Sequence, residues 1–450
     1  MESTYLETTQ AGGIPMPIDV MPASKRRGWL LSRDFSLLWW SQVISQVGDG
    51  VTRLALLWFV YSITGSPLKT TVIGLLQTLP PILFGPLFGV CVDRLPKKWI
   101  MIGSDVLRAL LIGVIPCLIA VDQFTIERLY ILVFLTAIAS AVFGPAMTAA
   151  VPVLVTRAQF TAANALLQTT TSVGVILGPA LSGIGIAALS SQEVLCVNAL
   201  TYLGSAACLL PIRLGSIPAS QSSGGLTAAF LSDLLEGVRF ALIKQHRILL
   251  LILAASLYTF GGAAFSTLYP VFAKKLLDLG PVEVGYGWSA FGVGLLLMSL
   301  ALVGVSTWNL RNRFLLIAAS SAVNGAALLG LLWVHGESAA AGLMACIGAG
   351  TGTLTPIAWG VLQEIAPGHM LGRVLAIYTT AAMTTAIIGM STFGWVTQTF
   401  DERTGLIGIA LAMFGTAALA IALTRWVRVR QPRGAVSETE PHFHRRATDQ

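Results

Sequence analysis

Apolar runs long enough to cross a lipid bilayer recur along this sequence almost from end to end. They run from Phe35 to Ile63, Thr70 to Val92, Trp99 to Val121, Leu129 to Val151, Asn164 to Leu189 and Val194 to Leu214. Six more follow, from Ile248 to Phe272, Gly285 to Val305, Arg313 to Val334, Ala339 to Val361, Val374 to Thr399 and Gly405 to Val427. At about 1.5 Å per residue, each spans a hydrocarbon core of about 30 Å as a helix. Lipid offers the backbone no hydrogen-bond partners, so a spanning segment must satisfy its own, and a helix does so. With 11% charged and 55% hydrophobic residues, the chain has too little polar surface to cover a water-soluble globule. A soluble multidomain enzyme, which 450 residues would otherwise allow, is excluded. The fold class expected is an all-α membrane protein with twelve transmembrane helices in two six-helix bundles.

Between the two sets of six lies a stretch of different character. Gly215 to Gly225 is rich in Ser and Gly, and Leu226 to Arg247 carries Asp233, Glu236, Arg239 and Lys244. That reads as a flexible linker followed by a membrane-surface helix. The expected organisation is a tail over 1–34, a bundle over 35–214, the linker over 215–247, a second bundle over 248–427 and a tail over 428–450. The segment before Phe35 holds Lys25, Arg26 and Arg27 but lacks the apolar core and cleavage site of a signal peptide, so it reads as an uncleaved tail. With the amino end inside, 21 of the 28 Lys and Arg fall in cytoplasmic segments, five in outer loops and two, Arg53 and Arg108, within spans. This asymmetry puts both termini in the cytoplasm of a multi-pass protein of a bacterial plasma or inner membrane. It also accounts for the net charge of +7 without a nucleic-acid partner. Cys91, Cys117, Cys196, Cys208 and Cys346 lie in or beside spans without C-x-x-C spacing and read as packing residues, not as a disulfide or metal site.

The halves match each other at a fixed offset of 211 residues: Pro145 with Pro356, Ala165 with Ala376, Thr169 with Thr380, Gly178 with Gly389 and Gly183 with Gly394. Spans four and five thus correspond to ten and eleven. A parallel repeat of two six-helix halves is a transporter plan, with solute held near the midplane between them.

The second span runs into Gly89-Val-Cys-Val-Asp93-Arg94-Leu-Pro-Lys97-Lys98. This resembles the G-x-x-x-D-R-x-x-[RK]-[RK] signature of the major facilitator superfamily at every defined position. The resemblance implies a gate in which Asp93 latches to the start of the eleventh span, near Gly372 and Arg373. The fifth span holds Gly174-Val-Ile-Leu-Gly178-Pro179-Ala-Leu-Ser182-Gly183. That is similar to the antiporter motif of the same superfamily, with Ser182 in place of one Gly. Asp34-Phe-Ser-Leu-Leu-Trp39, Gln42, Gly48-Asp49-Gly50, Phe143-Gly-Pro-Ala146, Gln363 and Gly372-Arg373 resemble the siderophore-exporter and macrolide-efflux branch. Many drug and proton antiporters of the superfamily keep an Arg in the fourth span; Leu129 to Val151 has none.

On the first span Gln42, Gln46, Asp49 and Arg53 stand at i, i+4, i+7 and i+11, one helical stripe. Charge at membrane depth faces a cavity or a partner, not lipid. Asp49 with Arg53 is expected to carry or sense a coupling proton, paired across one turn. Asp105 and Arg108, three apart on the third span, are expected to form a structural pair or to partner the Asp93 loop. The remaining cavity residues expected are Thr136, Ser140, Phe143 and Met147 on span four, Tyr258, Phe265 and Tyr269 on span seven, and Thr351, Thr355 and Trp359 on span ten. That lining suits a bulky amphipathic organic solute.

No Lys follows a Gly, so there is no phosphate-binding G-K loop, and there is no HExxH or GxGD protease motif. His442 and His444 read as part of a solvated tail. The function expected is proton-coupled export of a drug, siderophore or other secondary metabolite by alternating access. Ion-coupled import is the alternative, and a transport-inactive receptor or scramblase a further one. The partners expected are a small-molecule substrate, the proton gradient and the bilayer, with a monomeric protein, no cofactor and no catalytic residue.

Overall fold

The computed structural model describes residues 32–156, 159–214, 246–367 and 370–429. Residues 1–31, 215–245 and 430–450, which hold nearly all of the expected tails and linker with its surface helix, lie outside it. Twelve long helices make up the described part: α1 Arg33–Thr64, α2 Pro67–Arg94, α3 Lys97–Ala120, α4 Ile126–Leu154, α5 Phe160–Ala188, α6 Ser191–Leu209, α7 His246–Leu276, α8 Pro281–Ala301, α9 Leu310–Gly330, α10 Glu337–Ile365, α11 Leu371–Thr399 and α12 Glu402–Val429. A 3₁₀ turn, Leu302–Thr307, prolongs α8. Ten of the twelve are long and apolar enough to cross a membrane.

Local chemistry fixes the ends. Ser32 caps α1 by accepting from the Phe35 backbone N–H at 3.2 Å, and its hydroxyl donates to the Leu154 carbonyl at 3.1 Å, tying α1 to the end of α4. Gly65, at φ +61°, ends α1 in the left-handed region that a Cβ would disfavour, its N–H returning to the Tyr61 carbonyl.

The repeat is carried by the helices themselves. Adding 211 to the ends of α4, 126 and 154, gives 337 and 365, the ends of α10; adding it to those of α5, 160 and 188, gives 371 and 399, those of α11. Packing repeats too: α1 with α5 and α6, α3 with α4 and α6, and α2 with α4 in one half correspond to α7 with α11 and α12, α9 with α10 and α12, and α8 with α10 in the other. Between halves α5 packs on α8 and, related by the same symmetry, α2 on α11.

The close approaches between halves gather at one end of the molecule, the end of the α1–α2, α5–α6, α7–α8 and α11–α12 turns. A methyl group on Gly183 would lie 2.4 Å from the Pro281 carbonyl oxygen, and one on Gly394, 211 residues later, 2.5 Å from Thr71 Oγ1. Gly285 stands 2.5 Å from the Pro179 carbonyl oxygen by the same measure, and its counterpart Gly74 2.6 Å from Thr267 Oγ1. The Ser66 hydroxyl donates to Gln398 Oε1 at 2.5 Å, and the Lys274 ammonium sits 5.4 Å from the Trp58 ring centre. Outward, Leu110, Ile131, Leu200, Leu297 and Leu411 give lipid an apolar face. Cys117, Cys196 and Cys346 are exposed and Cys208 is half-buried, so the first three are not the interior packing residues expected; a thiol is apolar enough for an outer face.

Candidate functional site

Gly48-Asp49-Gly50 lies halfway along α1, and each glycine meets a different helix. A Cβ on Gly48 would come within 2.4 Å of Asn198 Oδ1 on α6, and one on Gly50 within 2.5 Å of the Gly174 carbonyl oxygen on α5. The two close contacts fix the rotation of α1, and Asp49 between them is aimed at α3 and α6.

There Asp49 meets Arg108, not Arg53. The Arg108 guanidinium donates to Asp49 Oδ1 at 3.2 Å and to Ser45 Oγ at 3.1 Å, and it also binds Asp105 Oδ1. The Tyr202 hydroxyl donates to Asp49 Oδ1 at 2.7 Å. Asp105 Oδ2 accepts from Ser205 Oγ at 2.6 Å, and Ser205 in turn bonds Ser41 at 2.8 Å. Asn198 on α6 donates to Thr52 on α1. The guanidinium lies over the rings of Tyr202, 4.5 Å away, and Phe143, 5.2 Å away. Two carboxylates on one cation give this network a formal charge of −1. Arg108 and Asp105 side chains are 2% and 0% exposed, but Asp49 is 36% exposed, so water reaches only one of the two carboxylates readily.

Asp49 faces a cavity of about 480 Å³ between α1, α2, α3, α4 and α6, lined by Asp49, Arg53, Gln77, Arg108, Thr136, Ser140 and Tyr202 among others. A second space of about 250 Å³ opens on the α5–α8 side of α1, where Gln46, Asp49 and Arg53 meet Leu54, Leu57, Val175 and Trp288. Three expectations are corrected here. Asp49 and Arg53 form no ion pair, because the rotation set by the two glycines turns Asp49 into α3 and α6 and leaves Arg53 in the open space. Asp105 and Arg108 do pair, but Arg108 extends the pair to Asp49 and lines the larger cavity; the network reaches α1 and α6, and a partnership with the Asp93 loop falls on side chains outside the described residues.

The third concerns the cavity wall. Gln46, Thr136 and Ser140 line the cavities, and Thr355 and Trp359 are exposed on α10. Gln42 is buried at 5%, Phe143 lies under Arg108, and Met147 packs on the core about Phe35 and Leu38. Phe265 and Tyr269 are buried, their rings 5.6 Å apart, with Tyr269 set edge-on to Trp288. The buried Tyr258 hydroxyl donates to half-buried Thr351 at 2.8 Å and accepts from Asn324 at 2.8 Å, a knot joining α7, α9 and α10. These aromatic side chains pack helices because burying a large ring is worth more than exposing it to a cavity; the Tyr258 hydroxyl keeps partners there, whereas that of Tyr269 is buried with none among the described residues.

In the expected gate, Gly89, Asp93 and Arg94 close α2, and what surrounds them lies outside the described residues, so the Asp93 latch does too. Lys97 opens α3, and Lys98 Nζ donates to the Leu210 carbonyl at 2.5 Å, within the first bundle. Gly372 at the start of α11 has open space about it, and Arg373 reaches Met370 Sδ at 3.5 Å. The α5 motif has two faces. Gly174 and Gly178 admit α1, while Pro179 and Gly183 admit α8 of the other half. Ser182, where the motif has Gly, donates to the Val51 carbonyl at 3.0 Å.

Tyr202, Ser205 and Asn198 were missed from sequence, although their spacing of i, i+4 and i+7 on α6 is a polar stripe like that of α1. The repeat shows that this network is not needed for folding a bundle: at the same offset the second half has Phe260 for Asp49 and Met413 for Tyr202, and α9 has no charge from Phe314 to Gly330.

Helical halves in parallel repeat that meet at one end, with a charged cavity inside the first bundle, define a membrane transporter of the major facilitator type. The chain belongs to the transmembrane secretion effector family, whose model matches residues 29–448. It is 27% identical over 404 residues to macrolide efflux protein A of Streptococcus pyogenes, covering 89% of this chain and 96% of that protein. It is 26% identical over 409 residues to the multidrug efflux pump Tap of Mycolicibacterium fortuitum, covering 89% and 97%. In structure it resembles the nucleoside transporter NupG, with a TM-score of 0.68 at 12% identity over 88% of this chain and 99% of that one. A bacterial homologue of the iron transporter ferroportin in an inward-facing state gives 0.67 at 15% identity over 87% and 98%. At such identities the structural likeness concerns the fold alone. The protein is thus a multi-pass membrane transporter and not an enzyme.

Proposed function

We propose that this transporter exports bulky amphipathic organic solutes, such as drugs, siderophores or other secondary metabolites, by proton antiport and alternating access. The observation that carries the reading is the half-buried network of two carboxyls on one guanidinium whose exposed member, Asp49, faces the cavity. A proton on Asp49 weakens its hold on Arg108 and so loosens α1 from α3 and α6, the helices that wall the cavity. The efflux pumps among its relatives support the direction of transport. With both termini cytoplasmic, as the distribution of Lys and Arg favours, the closed end is the outer one and the cavity is poised to load from inside. The protein works as a monomer in this reading, each chain carrying both halves.

Everted membrane vesicles made acid inside test it with ethidium as the probe. Wild-type vesicles are expected to concentrate the dye, and Asp49→Asn vesicles to lose uphill uptake while still exchanging it down its gradient. Dye leaving such vesicles on energisation would instead point to import by symport, and uphill uptake by Asp49→Asn would place the proton on another group.

A further inference from the structure

Arg53 follows Asp49 by one turn of α1, and its side chain is exposed into the interior space, where it lines both cavities. Among the described residues it makes no ion pair, while the ion pairs found join Arg108 to Asp49 and Asp105, and Arg313 to Glu364. Nor, among the described residues, is a hydrogen bond found on its guanidinium. A charge at this depth persists only where it faces water or a counter-ion, and Arg53 turns its guanidinium to the space that the two cavities share. The cavity's carboxylate offers a cation much less, because Asp49 is already held by Arg108 and by the Tyr202 hydroxyl.

We infer that Arg53 anchors an acidic group, so that among the amphipathic organic solutes carried those bearing a carboxylate are held tightest. Five N–H donors in a planar fork match a carboxylate bidentately. On one side of Arg53 the larger cavity gives a polar bed with Gln77 and Ser140. On the other, Leu54, Leu57, Val175, Pro179 and Trp288 form an apolar wall for the body of the molecule. Acid and apolar body thus have separate places with Arg53 at the junction. This deepens the transport reading and rests on the cavity being the solute's route; it needs neither the direction nor the coupling ion.

The test compares two dyes that differ at one group, rhodamine B, with a free carboxylate, and its ethyl ester. Each is titrated by fluorescence anisotropy into full-length protein in lipid nanodiscs without any gradient. The acid is expected to bind wild type about tenfold tighter than the ester. In Arg53→Gln the ratio of the two dissociation constants should fall to about one, and Arg53→Lys, which keeps the charge but not the fork, should lie between. Because the ratio is read within each variant, a loss of folded protein does not mimic the result, and melting curves identify such a loss. Equal affinities in wild type, an unchanged ratio in Arg53→Gln, or no binding of either dye to wild type up to about 1 mM would each overturn the assignment. Failure of the export reading is seen separately, in the energised vesicles with ethidium.

Discussion

At the scale of single residues, the first bundle turns on Arg108, a fully buried residue that divides its donors between two carboxylates. Removing one partner of a buried ion pair costs far more than the pair contributes, because the remaining charge is stranded. Arg108→Met would strand Asp105 wholly and Asp49 in part, and is expected to cost about 3–5 kcal/mol, seen as an earlier melting transition in detergent. Arg108→Met with Asp105→Asn should recover part of that loss. A single variant melting with wild type would mean that the network contributes nothing to folding. The same residues show what sequence discloses. The Asp105–Arg108 pair was legible because both partners ride one helix at a spacing that brings them together. The Asp49–Arg53 pair, on equally good spacing, is not formed, since side-chain direction on α1 is decided by which neighbours Gly48 and Gly50 touch, and those lie about 125 to 150 residues away in the chain.

Among the elements, α1 and α5 approach closely because glycines face each other: a methyl on Gly178 would lie 2.7 Å from Gly50 Cα, and one on Gly174 2.6 Å from the Gln46 carbonyl oxygen. Backbone cannot yield as a flexible side chain can. Gly50→Ala is expected to destabilise by about 1–3 kcal/mol, whereas Gly144→Ala on the cavity side of α4, with open space about it, should melt with wild type. Equal melting of both variants would show that α1 is free to shift. At the start of α12, Asp401 Oδ1 accepts from the Thr404 backbone N–H at 2.5 Å, and that bond, then the Thr404 hydroxyl, holds the carboxyl below its ordinary value. A lowered value means that the cap is at full strength above the usual carboxylate value near ~3.9 and is lost as pH falls through the lower one. Intrinsic-rate-corrected amide exchange in the first turn of α12 should therefore stay flat from neutrality to about pH 5 and rise only in stronger acid. Asp401→Ala should show faster exchange already at neutral pH, and a rise in wild type between pH 7 and 5 would contradict this cap. The elements were the most legible level of all: twelve apolar runs and one constant offset gave the helices and their pairing across halves, because span length and repeat are properties of the chain alone. The burial of Tyr258, Phe265 and Tyr269 was not, since an aromatic stripe looks the same whether it faces a cavity or a neighbouring helix.

For the whole molecule, the sequence left open which end is closed, because both end states of such a transporter use the same helices and differ only in how two rigid bundles meet. The structure places that meeting at the end holding Ser66, Lys274, Pro281 and Gln398, through two glycine contacts related by the repeat: Gly183 on Pro281, and Gly394 on Thr71. Small residues let the bundles close there, and the apolar side chains that cross the seam are few, Leu54, Trp58 and Tyr61 of α1 packing on the core of the second bundle, so the contact is one that can open. Lys274, over Trp58 and Tyr61 at 5.4 and 5.8 Å, adds a cation–π contact across the same seam. If transport requires this seam to part, fixing it must stop the cycle without harming either bundle. With the five native cysteines replaced by alanine, Ser66→Cys and Gln398→Cys put a thiol on each half at positions whose present side chains are in hydrogen-bond contact. A short thiol-specific cross-linker should join them in vesicles and abolish energised ethidium uptake, and a cleavable version should restore uptake on reduction. Each single-cysteine variant should lose little under the same treatment. Uptake that continues at the wild-type rate in quantitatively cross-linked protein would show that this end stays closed throughout the cycle, and that the solute leaves by a path which does not separate α2 from α11.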